Sequence, residues 1–172
     1  MYNRTQKLLH FIILVSFIAQ MMGMLAVQNL SLAKSTKILT YMIHKSNGVV
    51  LLFVGILFLF ARYQNIVNLK PGLAQWEHIL ATVTHKTLLA MIVLMPLSGV
   101  LMALFSGKSL PFYGLFSIPS PFQKVQALAL FFHEMHHFCA YLLYLSFFLH
   151  LLGTLKHVLA KEYQHLQILK FR

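Results

Sequence analysis

The sequence predicts an all-α protein, an integral membrane four-helix up-and-down bundle. Three observations predict it. Hydrophobic residues make up 59% of the 172-residue chain and charged residues only 10%, against about 25% charged in an ordinary soluble domain. Four apolar stretches are each long enough to cross a bilayer core, which takes about 20 helical residues. The segments between them are short and polar or turn-forming. With 14 Lys and Arg, three acids (Glu77, Glu134, Glu162) and no Asp, the chain has too little charge to cover a globular surface. That excludes a soluble enzyme and a disordered tail. It also excludes nucleic acid as a partner, because such a binder needs a basic patch on a water-facing fold, and most of this surface must face membrane lipid.

The first stretch runs over about 8–27, after a polar start holding Arg4 and Lys7. Its apolar run exceeds the 7–15 residues usual in a signal-peptide core. It also contains His10 and Gln20, and no A-x-A-like site follows, so it reads as a retained helix. The second covers about 38–61 and stops at Arg62-Tyr63. The third covers about 84–105 and holds Pro96 and Gly99, which a membrane helix tolerates where neighbours re-satisfy the backbone. The fourth covers about 127–155 and ends at Lys156-His157. The connections at 64–72, ending in Pro71-Gly72, and at 107–121, with Pro111, Pro119 and Pro121, read as loops. No internal repeat divides the chain, so 1–172 reads as one domain.

Lys and Arg near the span ends set the expected orientation. With the N-terminus inside, the inner set is Arg4, Lys7, Arg62, Lys70, Lys86, Lys156, Lys161, Lys170 and Arg172, nine residues, against five outside: Lys34, Lys37, Lys45, Lys108 and Lys124. Nine against five favours both termini in the cytoplasm. The outer face is itself basic, with Glu134 its only acid, and so suits an anionic partner arriving from outside.

Residue types narrow the chemistry further. Three acids exclude a site of paired carboxylates. The lone Cys139 excludes an intrachain disulfide, a C-x-x-C-H attachment and zinc sites built on several cysteines. Histidine is abundant, ten in all. It is costly in a membrane when charged and the commonest metal ligand when neutral.

The histidines sort by depth. His10 lies near the inner end of the first helix and His44 near the outer end of the second. On the fourth, His136 lies near the outer end and His150 fourteen residues further in. Fourteen residues fall about 40° short of four full turns and rise about 21 Å. Both imidazoles therefore leave roughly one helix face at two depths. His44 matches the depth of His136, and His10 that of His150. A low-spin haem iron takes two axial ligands on opposite faces of the ring, which two helices of a bundle can supply at one height. The constellation predicts two bis-histidine haems b stacked across the membrane. A lone histidine at a helix end is more often interfacial or hydrogen-bonded, and that reading competes for His10 and His44 singly. His150 sits within an apolar run, where an unpartnered imidazole is expensive. Calcium and magnesium want oxygen ligands, and zinc wants three or four convergent ligands where each depth offers two.

With these residues in place, the chain resembles the bacterial cytochrome b561 family of di-haem four-helix membrane proteins. His44-Lys45-Ser46-Asn47-Gly48 is similar to that family's H-K-S-x-G, with Arg62 in the place of a later arginine. Met95-Pro96-Leu97-Ser98-Gly99 is similar to its P-L-[ST]-G, and Tyr113-Gly114-Leu115 to Ile118-Pro119 to its F-G-L-x-x-P hairpin. His136, Tyr141, His150 and Lys156-His157 follow its H-x4-Y-x8-H-x5-K-H spacing. The resemblance implies His10, His44, His136 and His150 as haem ligands. It implies electron transfer between a membrane quinone, ubiquinone here, and a periplasmic donor, either superoxide or a redox protein. A superoxide:ubiquinone oxidoreductase is the specific candidate, in the bacterial inner membrane. The chain departs from the family at Phe11, where Trp is usual, and at Phe58, where Arg is usual. At Phe132-His133-Glu134 it has Phe for Trp in a Trp-His-Glu word. His133 lies seventeen residues from His150, about 100° out of phase. Spacing therefore prefers His136 to His133 as the outer ligand, and His137, about 100° from His136, is the weakest of the three.

Other residues carry lesser roles. His85 and Lys86 on the third helix, with Arg62, are candidate quinone or propionate contacts. The competing readings are an interfacial histidine and a snorkelling anchor. Trp76 reads as an interfacial belt residue, and His78, His157 and His165 as surface. Ser46 and Gly48, near His44, and Gly99 would let a flat ring approach closely. Two other classes stay open: a cytochrome b anchor subunit of a larger dehydrogenase or hydrogenase, and a transporter relaying protons or ions through histidines.

Overall fold

The computed structural model describes residues 3–64 and 74–160. Lys70, Pro71, Gly72, Lys161, Glu162, His165, Lys170 and Arg172 lie outside the described residues. Four helices dominate: α1 (Arg4–Asn29), α2 (Lys34–Gln64), α3 (Gln75–Phe105) and α4 (Gln126–Leu159), with β1 (Leu110–Phe112) and β2 (Phe116–Ile118) between the last two. Each helix is long and apolar enough to cross a membrane.

The helices outrun the apolar stretches that announce them, because their polar ends are helical too. Asn3 caps α1 in a reciprocal box: its Oδ1 accepts from the Gln6 N–H at 2.7 Å, and Gln6 Oε1 accepts from the Asn3 N–H at 3.0 Å. At the start of α3 the Glu77 carboxylate accepts from the Ala74 N–H at 3.3 Å. The far end of α3 closes on Gly107 at φ 71. There the Gly107 N–H reaches Leu104 O at 3.0 Å and the Lys108 N–H reaches Ala103 O at 3.4 Å. Those two bonds satisfy the last carbonyls, and only glycine takes that φ without strain.

The segment 107–121, read from its residues as a loop, contains a hairpin. β1 and β2 pair antiparallel with Phe112 opposite Phe116. Tyr113 and Gly114 both have positive φ, 50 and 75, and the Leu115 N–H bonds Phe112 O at 3.0 Å. This is the turn whose twist matches that of paired strands. Strands of three residues are too short to show a period of two, so only the resemblance to the family hairpin marks them. Ser46 ties this hairpin to α2. Its Oγ accepts from the Tyr113 N–H at 2.8 Å and lies 2.8 Å from Met42 O and 3.0 Å from Pro111 O. One hydroxyl thus serves three backbone groups. Ser46→Ala leaves the Tyr113 N–H without this acceptor, which costs about 1–3 kcal/mol. A lower thermal midpoint in detergent measures that loss.

Contacts along each neighbouring pair show the up-and-down order. Gln6 Nε2 donates to Ala61 O at 2.8 Å, joining the start of α1 to the end of α2, and Gln20 Nε2 donates to His44 O at 2.9 Å. Phe105, ending α3, stacks on Phe132, near the start of α4, at 5.6 Å. At the opposite end Lys156 pairs with Glu77. One end of the bundle therefore carries the hairpin and the other carries Asn3 and Ala160; these are the hairpin end and the terminal end.

Pro96 lies inside α3. It removes the N–H that would bond Ile92 O, and α2 closes on that carbonyl through Gly55. A Cβ at Gly55 would stand 2.9 Å from both Ile92 O and Ile92 Cγ1. Backbone oxygen cannot swing aside as a side chain does, so Gly55→Ala forces α2 and α3 apart. We expect it to cost about 1–3 kcal/mol, read as a lower detergent-unfolding midpoint.

The core is small. Met91, Cys139 and Leu143 are buried, with Phe17, Leu88, Met95, Met135 and Leu142 packed on them. Many large apolar side chains, Phe53, Phe60, Tyr141 and Leu152 among them, are exposed, as a lipid-facing surface requires. In backbone terms α4 lies close along α3 but stands off from α1 and α2, which it meets through rings.

Candidate functional site

Those rings are mainly histidines. At the terminal end His10 of α1 faces His150 of α4, with ring centroids 6.4 Å apart. Toward the hairpin end His44 of α2 faces His136 of α4 at 6.2 Å. The two α4 imidazoles share a face because fourteen residues nearly complete four turns. Their partners come to the same two levels because α1 and α2 run antiparallel. Phe17 lies between the levels, 4.9 Å from Phe147 and 6.1 Å from Tyr144.

His136 is the most firmly held. Its Nδ1 lies 2.9 Å from Met95 O and 3.2 Å from Ser98 Oγ. A ring N–H donating to that carbonyl fixes the tautomer that leaves Nε2 as an acceptor, the usual support of a metal-bound histidine. Gly99 makes the approach possible, since a Cβ there would come within 3.0 Å of the His136 ring. His44 Nδ1 is buried with no hydrogen-bond partner among the described residues, an expensive state for an imidazole unless something else binds the ring. One turn along α2 from His44, a Cβ at Gly48 would meet nothing within 4 Å, so the helix is open beside that ring.

These distances leave room for a metal between the rings of each pair. A metal bonded to two opposed imidazole nitrogens at about 2 Å, with each nitrogen about 1.2 Å from its ring centre, separates the centroids by roughly 6.4 Å. Both pairs meet that spacing. In haem the four in-plane positions belong to the porphyrin, so opposed ligands are the kind it accepts. His85 lies 5.2 Å from His150, too close to be an opposed ligand. Among the described residues no three His, Cys, Asp or Glu side chains converge on a metal position, as a structural zinc site would need.

The remaining candidates separate by position. His133 is exposed, beside Glu134 at 3.1 Å. His137 is exposed as well. His85 is half-buried within electrostatic range of His150, Arg62 and His10, so it adjoins the terminal-end pair with Arg62. Lys86 is exposed and stands apart from that cluster, as an anchor would. Phe58, in the place of the family arginine, is buried and lies 6.3 Å from the His10 ring, giving this pair an apolar neighbour.

Sequence reading missed several parts of the site. Lys7, counted as an inner surface charge, is only 8% exposed. Ser46 anchors the hairpin rather than making room for a ring. The Met95 carbonyl has no signal in its side chain, and the Gln20 bond to His44 O had only one clue, a polar residue in an apolar run. A cavity of about 180 Å³ lies there, lined by Gln20, Gly23, Thr40 and His44 among others.

Compared with known proteins, residues 1–169 match the family described as prokaryotic cytochrome b561. A comparison with curated proteins finds no match.

Proposed function

The chain belongs to the prokaryotic cytochrome b561 family, membrane b-type cytochromes that transfer electrons, and from that premise we propose that it binds two haems b and passes electrons from a donor at the hairpin end to a membrane quinone. His44 and His136 would hold one haem, His10 and His150 the other. The observation that carries this reading is the pair of opposed imidazole couples, 6.2 and 6.4 Å apart, at two levels of one bundle. Haem, when bound, supplies a one-electron iron couple.

The chain's own residues supply orientation, charge and dryness. The Met95 carbonyl holds the proton on His136 Nδ1 and so points Nε2 away from α3. Gly99 keeps the α3 backbone close to the His136 ring without side-chain bulk, and Gly48 leaves open space on α2 one turn from His44. Phe17, Tyr144 and Phe147 fill the layer between the levels with aromatic rings and keep water out of it. Arg62 and His85 offer donors beside the terminal-end pair, suited to a propionate or a quinone oxygen. Lys45 lies within electrostatic range of Lys108, and with Lys34, Lys37 and Lys124 they make the hairpin end attractive to an anion. That charge favours superoxide as donor, the family resemblance supports ubiquinone as acceptor, and the larger Lys and Arg count at the other end supports a periplasmic hairpin end with both termini cytoplasmic in the inner membrane.

The test begins with haem content and absorption of the purified protein: two haems b per chain are expected, and a colourless protein overturns the reading. Stopped-flow mixing with superoxide should reduce the haems faster than superoxide decays, and ubiquinone should reoxidise them. No superoxide-dependent reduction removes that donor and leaves a redox protein. Co-purification of a soluble catalytic subunit would instead mark the chain as a membrane anchor.

A further inference from the structure

A second set of imidazoles lies outside the two opposed couples. His133 and His137 are one turn apart on α4, both exposed, with ring centroids 4.6 Å apart. Residues four apart on a helix share a face, and two histidines so placed, as in H-E-x-x-H, can close on one ion. The arithmetic that fits the opposed couples to 180° separates this pair from them. With about 3.2 Å from a metal to each ring centre, a right angle at the metal puts centroids about 4.5 Å apart and a tetrahedral angle about 5.2 Å. The observed spacing is that of adjacent ligands, not opposed ones. Glu134 completes the preparation. Its Oε1 lies 3.1 Å from His133 Nδ1, and a ring N–H donated to that carboxylate leaves Nε2 as the free lone pair.

The site faces water or headgroups rather than acyl chains. Glu134 is 79% exposed, and a carboxylate so exposed cannot sit in hydrocarbon. Exposed apolar residues flank it along α4, Leu130 and Phe131 before it and Phe138 and Tyr141 after it, so Glu134 marks a polar break at the headgroup level.

We propose that His133 and His137 form a binding site for a divalent transition-metal ion at the hairpin end of α4, with copper(II) the tightest. Imidazole ligands select such ions over calcium and magnesium, and copper(II) leads the series for nitrogen ligands. Among the described residues no third His, Cys, Asp or Glu joins the set, so water fills the remaining positions and the ion exchanges with solution. The site rests on the reading that His136, not His133, pairs with His44.

The test titrates copper(II) into the detergent-purified holoprotein, with calorimetry for affinity and electron paramagnetic resonance for the ligands. One equivalent should bind with nitrogen couplings from two imidazoles. Losing even a partner behind a ligand weakens metal sites by about 10- to 100-fold, so H133Q and H137Q should each weaken binding by at least about tenfold. Both side chains are exposed, so the haem bands should stay unchanged and report an intact fold. H78Q/H157Q should leave binding unchanged. Unaltered affinity in the H133Q/H137Q double variant, a signal without imidazole nitrogen, or loss of binding in H78Q/H157Q overturns the proposal.

Discussion

Replacing His136 with alanine should halve the haem content of the purified protein, leaving one haem b held by His10 and His150. The variant deletes the ring that faces His44 at 6.2 Å and leaves the other couple, four helical turns away, untouched. Alanine offers no ligand, and among the described residues no other imidazole is in ring contact with His44. His133 and His137 stand about 60° and 100° around α4 from His136, and both are exposed. His44→Ala should therefore match His136→Ala, while His10→Ala and His150→Ala remove the other haem. Four single variants thus fall into two spectral classes, read by haem quantification and by the resonance signals of each low-spin iron. His133→Ala should keep both haems. If it loses one while His136→Ala keeps two, the ligand at the hairpin end is the wrong histidine.

The arrangement was legible in the sequence to the extent that it rests on periodicity. Fourteen residues between His136 and His150 fix a shared face whatever surrounds them, and span order fixes which histidine reaches which level. The helix ends were legible only in part, because an apolar window stops where lipid stops, whereas Gln75 to Val83 continue the helix in polar surroundings. The hairpin was visible only through the family resemblance at Tyr113-Gly114-Leu115 to Ile118-Pro119. What could not be read was contact geometry. Nothing in the sequence says that the Met95 carbonyl meets His136 Nδ1, since every residue has a carbonyl and only the packing of α3 on α4 selects this one. The meaning of Gly55 was hidden for the same reason. It answers to Pro96, forty-one residues away, through a carbonyl that proline leaves without its helical donor. The burial of Lys7 had no signal in the sequence, since a lysine near a helix start usually snorkels and only packing covers this one.

Gly99→Ala should perturb the hairpin-end haem and leave the other alone. The added Cβ would stand 3.0 Å from His136 Cε1 and 3.1 Å from His136 Nδ1, so either the ring or the helix must give by a few tenths of an ångström. The ring is poorly placed to yield. Its Nδ1 is bonded to Met95 O at 2.9 Å and lies 3.2 Å from Ser98 Oγ, and both partners sit on the same helix as Gly99. Moving the ring away from Gly99 therefore stretches the bonds that orient it. Moving α3 instead disturbs its close packing along α4. Overpacking of this kind costs about 1–3 kcal/mol, set against up to about 1 kcal/mol that alanine gains over glycine in a helix interior. The net effect should fall on His136 orientation more than on global stability. The expected readout is a shifted resonance signal and a weaker hold on one haem, with the His10–His150 haem unchanged and the unfolding midpoint only slightly lower. Ser98→Ala gives the matching control: it removes one of the two contacts at Nδ1 without adding bulk, so the haem should stay and its signal should move less than in Gly99→Ala. If Gly99→Ala leaves both signals in place, the ring has slack at this position and the close approach of α3 is not what orients it.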